Sequence, residues 1–509
     1  MGIILRQSIK GTAVHWFGAV IGMITMLYVQ PSFLTTEEIG LMKVLYESGL
    51  LICSFALLGA PSSTIRFFPY FKNSKNKDNG FFFYLLILPS VGAIIFIPLL
   101  ILLKNIIIDF FAEKSALYVE YFNWVIPLII FLIYWITFEA YSNVKMRIAV
   151  PKLIRETGVR ILLLAVYVLY GLKLLTLTEM VTCSISVYAV AMVCTFFYIR
   201  KFDSITLKHD RKLIDKPLQN KILKYTLFLV LAAVSGNILN QLDVFMLASL
   251  KGLDTTGVYT ILIYIVAMID MPSRAISAIS APVAADSLKN DDFEKANKLY
   301  KEVSLHQLLG GSIMFMFIWI NLDNIFAIIP NGATFAPGKW VVLFLGIAKI
   351  ITMTLNFGGI LISYSRYYYW SLFFSFFIFG TGFVANLLLI PVLGMTGASL
   401  ATLTACILSY SVQQWIVLKK IKGNPYTINT IKQIALILTL VGINFLLPDW
   451  SRNPFTDAAY RSIIIGILTV VFLYKLKISA PINRIIDKSR EKIKTFAQMH
   501  KDKDKRFKK

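Results

Sequence analysis

Charged and amide side chains lie inside long apolar stretches of this sequence, and they are the residues that could do chemistry. Lys349 is the deepest cation, because it lies about ten residues, or roughly 15 Å of helix, beyond Gly338. A charge at the centre of a bilayer costs roughly 2.5 to 3.5 kcal/mol and therefore usually faces a cavity or a partner. Thr352, Asn356 and Ser363 would lie within about 60° of Lys349 on a helix. This stripe predicts either a cavity wall or a lysine that a neighbouring helix neutralises.

Two carboxylates lie in other apolar stretches. Asp270 has Ser273 and Arg274 on its helical face, which predicts either an i, i+4 ion pair or another part of a cavity wall. Asp243 shares a polar face with Asn240, and contacts between helices explain this face as well as binding of a polar ligand does. Because Asp243 lies near the end of its stretch, we expect it to be hydrated. Both carboxylates are candidates for coupling to a proton or sodium gradient.

Three further charged residues belong to the candidate set. Lys43 and Glu47 form an i, i+4 pair close to one end of a stretch, where snorkelling explains Lys43 as well as a cavity does. Arg66 follows the same stretch among aromatic residues, and its guanidinium suits either a diphosphate or an orienting role. Glu139, followed by Arg147, is expected to be structural. The candidate substrate-binding residues are Lys349, Asn356, Asp270, Arg274, Asn240, Asp243, Lys43, Glu47 and Arg66.

The sequence carries no recognisable catalytic motif. Its four histidines are scattered, and it has no His-Glu-x-x-His, paired Cys-x-x-Cys or glycine-rich phosphate loop. The four cysteines lie inside apolar stretches, where a disulfide framework is not expected. We therefore expect a protein that is not an enzyme and that has no catalytic residue, metal or cofactor.

The composition is that of a membrane protein. Hydrophobic residues make up 57% and charged residues 16% of the chain, whereas soluble proteins average about 45 to 50% and about 25%. Windows of about 20 apolar residues predict an all-α polytopic protein with about fourteen transmembrane helices, the first of them uncleaved. The windows fall near residues 12–32, 39–60, 81–103, 119–140, 157–175, 179–199, 223–247, 257–277, 303–321, 339–361, 370–390, 395–418, 431–448 and 459–476.

The basic residues predict the orientation of the chain. The formal net charge of +23 would suggest a nucleic-acid partner in a soluble protein. Here about 42 basic residues fall on one side of the windows and about seven on the other, which is the asymmetry of the positive-inside rule. Both termini are therefore expected in the cytoplasm, and no nucleic-acid partner is expected.

Two cytoplasmic segments have amphipathic patterns. Segment 282–302, with Asn290 and Asp291 as caps, predicts a short helix on the membrane surface. The basic tail, 477–509, predicts either an interfacial helix bound to anionic lipids or a solvated end that only orients the chain.

A short internal repeat predicts the domain organisation. Residues 35–41 (TTEEIGL) resemble residues 253–259 (LDTTGVY), about 218 residues later, and both motifs lead into a predicted span. An even number of intervening helices gives both copies the same orientation. The repeat predicts two six-helix lobes and two appended helices. The expected boundaries are 1–200 for the N-terminal lobe, 201–222 for a cytoplasmic linker, 223–420 for the C-terminal lobe, 421–476 for helices 13 and 14, and 477–509 for the tail.

Four motifs of this sequence carry a family resemblance, namely residues 6–12 (RQSIKGT), 33–41 (FLTTEEIGL), 63–69 (STIRFFP) and 391–402 (PVLGMTGASLAT). They resemble those of bacterial oligosaccharide flippases of the O-antigen and capsule type. This polysaccharide transporter branch belongs to the multidrug/oligosaccharidyl-lipid/polysaccharide exporter superfamily. The resemblance implies two six-helix bundles around a central cavity, as in multidrug and toxin extrusion transporters and peptidoglycan-precursor flippases.

The resemblance implies a function in the bacterial inner membrane. Such a protein would move undecaprenyl-diphosphate-linked oligosaccharide from the cytoplasmic to the periplasmic leaflet for lipopolysaccharide or other surface polysaccharide, with glycan polymerase and assembly proteins as partners. One alternative is a cation-coupled drug antiporter of the same fold, which would depend on carboxylates more than on Lys349. Another is a polysaccharide polymerase or ligase, which would need a large periplasmic loop that this sequence lacks.

Overall fold

The structure is a computed structural model, and it describes residues 17–71, 81–203, 239–289, 292–448, 453–481, 483–484 and 486–488. These residues are almost entirely helical, and no strand occurs among them. Ten of the helices are long and apolar enough to cross a membrane. The chain is therefore an all-α multi-pass membrane protein, and the predicted fold class is confirmed.

Seventeen helical elements, some with a 3-10 or π turn inside them, are numbered here in chain order. They are α1 Phe17–Phe33, α2 Thr36–Ala56, α3 Ala60–Phe71, α4 Phe81–Leu102, α5 Lys104–Ala112, α6 Ala116–Val144, α7 149–171, α8 Leu177–Phe202, α9 Leu239–Lys251, α10 Leu253–Asp270, α11 Met271–Lys289, α12 Phe293–Ile320, α13 Leu322–Ile328, α14 Lys339–Tyr364, α15 Trp370–Ile421, α16 Ile428–Leu446 and α17 Pro454–Lys475.

The helices match the predicted apolar windows closely. Helix α15 covers two windows, because Gly394 (φ 57°, ψ −132°) turns the chain within it in a conformation that suits glycine. Helices α1 and α7 cover two more windows, although they are not among the ten candidate spans. Most of the seventh window lies in 204–238, outside the described residues, and α9 is the part of it that the structure describes.

Capping residues fix where several spans begin. Thr35 and Glu38 form a capping box at the start of α2, and Thr176 and Glu179 form one at the start of α8. In each box the threonine hydroxyl accepts from the backbone of the glutamate, and the glutamate accepts from the backbone of the threonine. These boxes satisfy backbone donors at helix ends that would otherwise have no partner in the membrane interface.

The predicted surface helix over 282–302 was wrong. Helices α10 and α11 follow each other without a break from 253 to 289, and α10 ends in a 3-10 turn at Met268–Asp270. Asp292, whose side chain accepts from the backbone of Lys295, then caps α12. The polar residues after 293 are thus the first turns of a long spanning helix, because propagation of an existing helix is favourable even where its first turns are polar.

The described residues pack into two compact units. Unit 1 contains the described residues of 1–264, 329–345 and 372–409, and unit 2 contains those of 265–328, 346–371 and 410–509. The division into two six-helix lobes stays a prediction. Part of the predicted linker and most of the basic tail lie outside the described residues.

The two motifs of the predicted repeat meet each other within unit 1. A Cβ on Gly40 of α2 would collide with the carbonyl oxygen of Leu253, and a Cβ on Gly257 of α10 would collide with that of Thr36. The Thr36 hydroxyl donates to Asp254 over 2.7 Å. The contact is reciprocal, since each glycine lies four residues beyond the carbonyl that approaches the other one, as across a two-fold axis. Glycine at both positions allows the two backbones to approach this closely.

Candidate functional site

The predicted stripe on α14 lies on the open side of that helix. Lys349 is half-buried, and no hydrogen bond or ion pair to it is present within the described part of the chain. Asn356 and Ser363 are exposed, and the Ser363 hydroxyl donates to the carbonyl of Gly359 over 2.8 Å. A lysine and an asparagine facing lipid near the middle of a span would be costly. The stripe therefore suits a surface that contacts water or a polar ligand.

The flank of α14 beside the stripe is packed, since Met353 and Phe357 lie about 40° and 80° from Lys349 on an ideal helix. Met353 and Phe357 are almost fully buried, and Met353 lies against Gly311 of α12. Near the end of α15, the Gln413 amide donates to the carbonyl of Leu355 over 3.0 Å. These contacts pack the flank of α14 inside unit 2, whereas the stripe itself is exposed at Asn356 and Ser363.

Asp243 lies in a cage of neutral donors in unit 1, and the expectation that it is hydrated was wrong. It is 8% exposed. Its carboxylate accepts from Asn386 over 2.7 Å, from Tyr259 over 3.1 Å, and from Thr402 by a short bond. None of these donors carries a charge. The asparagine and threonine come from α15, which closes over this end of α9 and removes it from water.

Two buried oxygens of this region have no donor among the described residues. They are Oδ1 of Asn386, which is fully buried, and Oε1 of Gln241, which is two residues from Asp243 on α9. A buried acceptor without a donor costs about 1 to 3 kcal/mol. Of the two, Asn386 Oδ1 lies near the Asp243 carboxylate, because the same amide donates to it, whereas Gln241 is about 200° from Asp243 on the helix and faces another side.

Lys43 and Glu47 form the ion pair that their spacing predicts. The Lys43 ammonium lies 2.6 Å from the Glu47 carboxylate, and the two side chains are 23% and 11% exposed. A second pair in unit 1 joins Arg155 of α7 to Glu139 of α6 over 3.1 Å. Sequence reasoning missed Arg155, because its partner is sixteen positions away and on another helix.

The remaining predicted residues are less defined. Asp270 is half-buried in the 3-10 turn that ends α10, and it accepts from the Ser273 hydroxyl over 2.7 Å. Arg66 is exposed on α3, with its guanidinium 5.8 Å from the centre of the Phe67 ring. The side chains of Arg274 and Asn240 lie outside what the structure describes.

The structure thus brings some of the predicted residues together and separates others. Lys349 and Asn356 share one open helical face in unit 2, and Lys43 and Glu47 share a closed pair in unit 1. Asp243 lies in unit 1 as well, in the separate cage that it forms with α10 and α15. Each of these three regions offers different chemistry, namely an open cation, a neutral ion pair and a caged carboxylate.

Comparison with known proteins identifies the fold. No protein-family model matches the chain, and no curated protein sequence matches it. Among solved structures, the lipid II flippase MurJ in an inward closed conformation matches 92% of this chain and 99% of its own, with a TM-score of 0.73 and 13% identity.

Two MOP superfamily transporters also match. An inward-facing multidrug resistance MATE family transporter of the MOP superfamily has a TM-score of 0.58 and 15% identity over 79% of this chain and 94% of its own. A MOP superfamily transporter from Pyrococcus furiosus has a TM-score of 0.56 and 12% identity over 82% of this chain and 95% of its own. The chain therefore has the fold of MOP superfamily transporters.

Proposed function

We propose that this protein is a flippase that moves an undecaprenyl-diphosphate-linked oligosaccharide across the bacterial inner membrane for surface polysaccharide synthesis. The observation that carries the proposal is Lys349, a cation deep in a span, on an open polar face, without a carboxylate partner among the described residues. Such a cation suits an anionic group that must leave water in order to cross.

The physical requirements of the substrate agree with this face. The diphosphate would lie near the Lys349 ammonium, and amide and hydroxyl groups such as those of Asn356 and Ser363 would replace water around polar groups. The polyprenyl chain can stay in lipid, because its apolar surface avoids contact with water there. With the cytoplasm negative, outward movement of a charge of about −2 gains roughly 4.6 kcal/mol per 100 mV. The membrane potential alone could therefore favour export.

The fold supports the same proposal. MurJ is a lipid II flippase, and its likeness extends over more of this chain than that of the MATE transporter, 92% against 79%. The reciprocal contact of Gly40 and Gly257 suits alternating access, because it closes two repeat-related helix ends that would separate when the substrate leaves. We place this contact on the periplasmic side, with both termini in the cytoplasm, by the distribution of basic residues.

The test is to deplete the protein in its host and to measure the lipid-linked sugar pool together with the surface glycan. Accumulation of a polyprenyl-diphosphate oligosaccharide on the cytoplasmic side, with a fall in surface glycan, is the expected result, and the trapped lipid identifies the sugar. Unchanged pools and unchanged surface glycan would reject the proposal.

We also propose that Asp243 couples transport to an ion. A carboxylate buried among neutral donors suits the binding of a proton or a cation, because none of these donors neutralises its charge. The donorless Oδ1 of Asn386 favours a hard cation such as sodium, because such ions bind oxygen ligands. In vesicles with an imposed sodium or proton gradient, Asp243→Asn should remove the stimulation that one of them gives. Asp457→Asn is the matched control, since Asp457 is equally buried but paired with Arg461. Full stimulation in Asp243→Asn would exclude this role.

The caged carboxylate also favours a second candidate, a cation-coupled drug antiporter. Such a protein would bind cationic substrates, which an open lysine repels. Export of cationic dyes that survives substitution of Lys349 but not of Asp243 would favour the antiporter.

A further inference from the structure

We propose that an ion-pair cluster in unit 1 binds the sugar part of the substrate, apart from the diphosphate; this inference rests on the proposed flippase function. The cluster combines two ion pairs with two stacked tyrosine rings. Its members are Lys43, Tyr46, Glu47, Glu139, Arg155 and Tyr188.

The tyrosines provide an aromatic wall between the two pairs. The rings of Tyr46 on α2 and Tyr188 on α8 stack with centroids 5.5 Å apart and an interplanar angle of 25°, and both side chains are half-buried. Glu47 and Arg155 both lie close enough to the Tyr46 hydroxyl to act on it electrostatically. One aromatic wall therefore connects the pair on α2 with the pair that joins α6 and α7.

A π turn in α7 helps to place Arg155 in this cluster. The turn, Ile154–Gly158, packs against α8, which in turn packs against α6. A π turn accommodates one extra residue, so that Arg160 takes the angular position of an i+4 residue, about 40° from Arg155 instead of about 140°. The π turn thus places Arg155 and Arg160 on the same side of α7, and Arg160 pairs there with Glu156 over 3.2 Å. Single π turns of this kind often occur at functional sites.

The cluster is open enough to be reached. The Arg155 side chain is 54% exposed, although it pairs with Glu139, which is 16% exposed. A guanidinium has five N–H donors, and a carboxylate accepts several hydrogen bonds, so each keeps capacity beyond the ion pair. The cluster can therefore accept a ligand without breaking its own pairs.

Charge decides which part of the substrate fits this cluster. Each of its two cations is matched by a carboxylate at 2.6 or 3.1 Å, so the cluster offers no net charge to a diphosphate. A sugar hydroxyl donates and accepts at once, and therefore suits neighbouring carboxylate and cationic groups. The apolar face of a sugar ring suits an aromatic ring. The ligand class that fits is a neutral polyhydroxyl group.

A purely structural role for the pairs gives a different expectation. Ion pairs can also join helices in a membrane without binding anything. The pair of Asp457 and Arg461 in unit 2 is a suitable example, because it is also i, i+4, has a distance of 2.7 Å and is at most 10% exposed. Asn324 donates to the same aspartate over 2.8 Å. The pair of Asp457 and Arg461 serves as the matched control.

The experiment compares two lipids bound to the full-length protein in nanodiscs. The probes are undecaprenyl diphosphate and the lipid-linked oligosaccharide purified from depleted cells, with phosphatidylglycerol as the reference, and binding is measured by native mass spectrometry. Wild type should prefer the sugar-bearing lipid. Glu47→Gln and Tyr188→Leu should each reduce that preference about fivefold, the effect of about 1 kcal/mol. Tyr188→Leu should leave binding of undecaprenyl diphosphate unchanged, and Glu47→Gln, which leaves Lys43 without its carboxylate, should not weaken it. Asp457→Asn should leave the preference unchanged.

A charge exchange separates recognition from packing. Lys43→Glu combined with Glu47→Lys keeps an i, i+4 pair, so a structural role would be restored, whereas sugar recognition would stay impaired. A wild-type preference in the exchanged protein and in Tyr188→Leu, or an equal loss of both lipids, would overturn the inference. If wild type binds neither probe better than phosphatidylglycerol, the proposed flippase function itself fails.

Discussion

The ion-pair cluster of unit 1 and the α14 stripe of unit 2 place cations in the membrane in opposite ways. Lys43 has its carboxylate 2.6 Å away, whereas Lys349 has no such partner within the described residues and shares its face with Asn356. Both lysines are partly buried, so burial does not distinguish them. The two lysines differ in whether a carboxylate compensates their positive charge. A paired cation suits a neutral polar ligand, and an unpaired one suits an anion.

The largest effect is expected when the unpaired cation is removed. Lys349→Met should reduce export of the lipid-linked oligosaccharide about ten- to hundredfold, because a hydrogen bond to a charged group contributes about 1.5 to 3 kcal/mol. The measurement is the cytoplasmic pool of that lipid in cells that carry the variant. Lys432→Met on α16 is the control, since it removes another half-buried lysine of a span and should leave export unchanged. Normal export by Lys349→Met would remove the basis of the comparison.

A second substitution would make the stripe resemble the cluster. Thr352 lies one turn beyond Lys349 on the same face, so Thr352→Glu would supply the missing carboxylate at i, i+3. Export should fall about tenfold, because the new carboxylate competes with the diphosphate for the ammonium. Glutamine has nearly the size of glutamate without its charge, so the Thr352→Gln variant should export much more than the Thr352→Glu variant. Equal export by the two variants would show that charge compensation at Lys349 does not matter.

The reverse change concerns stability more than transport. Glu47→Gln leaves Lys43 without its carboxylate, and it should lower the free energy of unfolding by about 1 to 3 kcal/mol. Adding Lys43→Met should recover part of this loss, since the uncompensated charge is then gone. Unfolding in detergent measures both. Lys349→Met should cause no such loss, and a loss equal to that of Glu47→Gln would contradict the distinction between the two regions.

Composition and short spacing predict the parts of this molecule that depend on neighbouring residues in the chain. Apolar length is enough to locate the spans, and the i, i+4 spacing is enough to pair Lys43 with Glu47. The shared helical face of Lys349 and Asn356 on α14 also follows, because a polar face at helical spacing is a local property. These features needed no knowledge of tertiary contacts.

The parts that could not be predicted depend on distant residues or on irregular helix. The donors to Asp243 on α15 are 143 and 159 positions away in the sequence, so its cage could not be inferred from the end of its own span. The pair of Arg155 with Glu139 joins two helices and residues sixteen positions apart, so helical spacing could not predict it. The 3-10 turn at Asp270 could not be predicted for another reason, because it lies inside an unbroken helical stretch.

The smallest expected effect tests how far the stripe extends beyond its lysine. Asn356 is exposed about two turns beyond Lys349 on α14, where its amide could bond a polar group of the substrate but carries no charge. Asn356→Ala should therefore reduce export about fivefold, the effect of about 1 kcal/mol, with no change in the free energy of unfolding. Asn444→Ala is a contrasting control, because Asn444 accepts from Arg461 over 3.2 Å and its loss should lower stability before it lowers export. If Asn356→Ala exported normally while Lys349→Met did not, the substrate would contact the cation alone, and the polar stripe would serve hydration of the path instead of recognition.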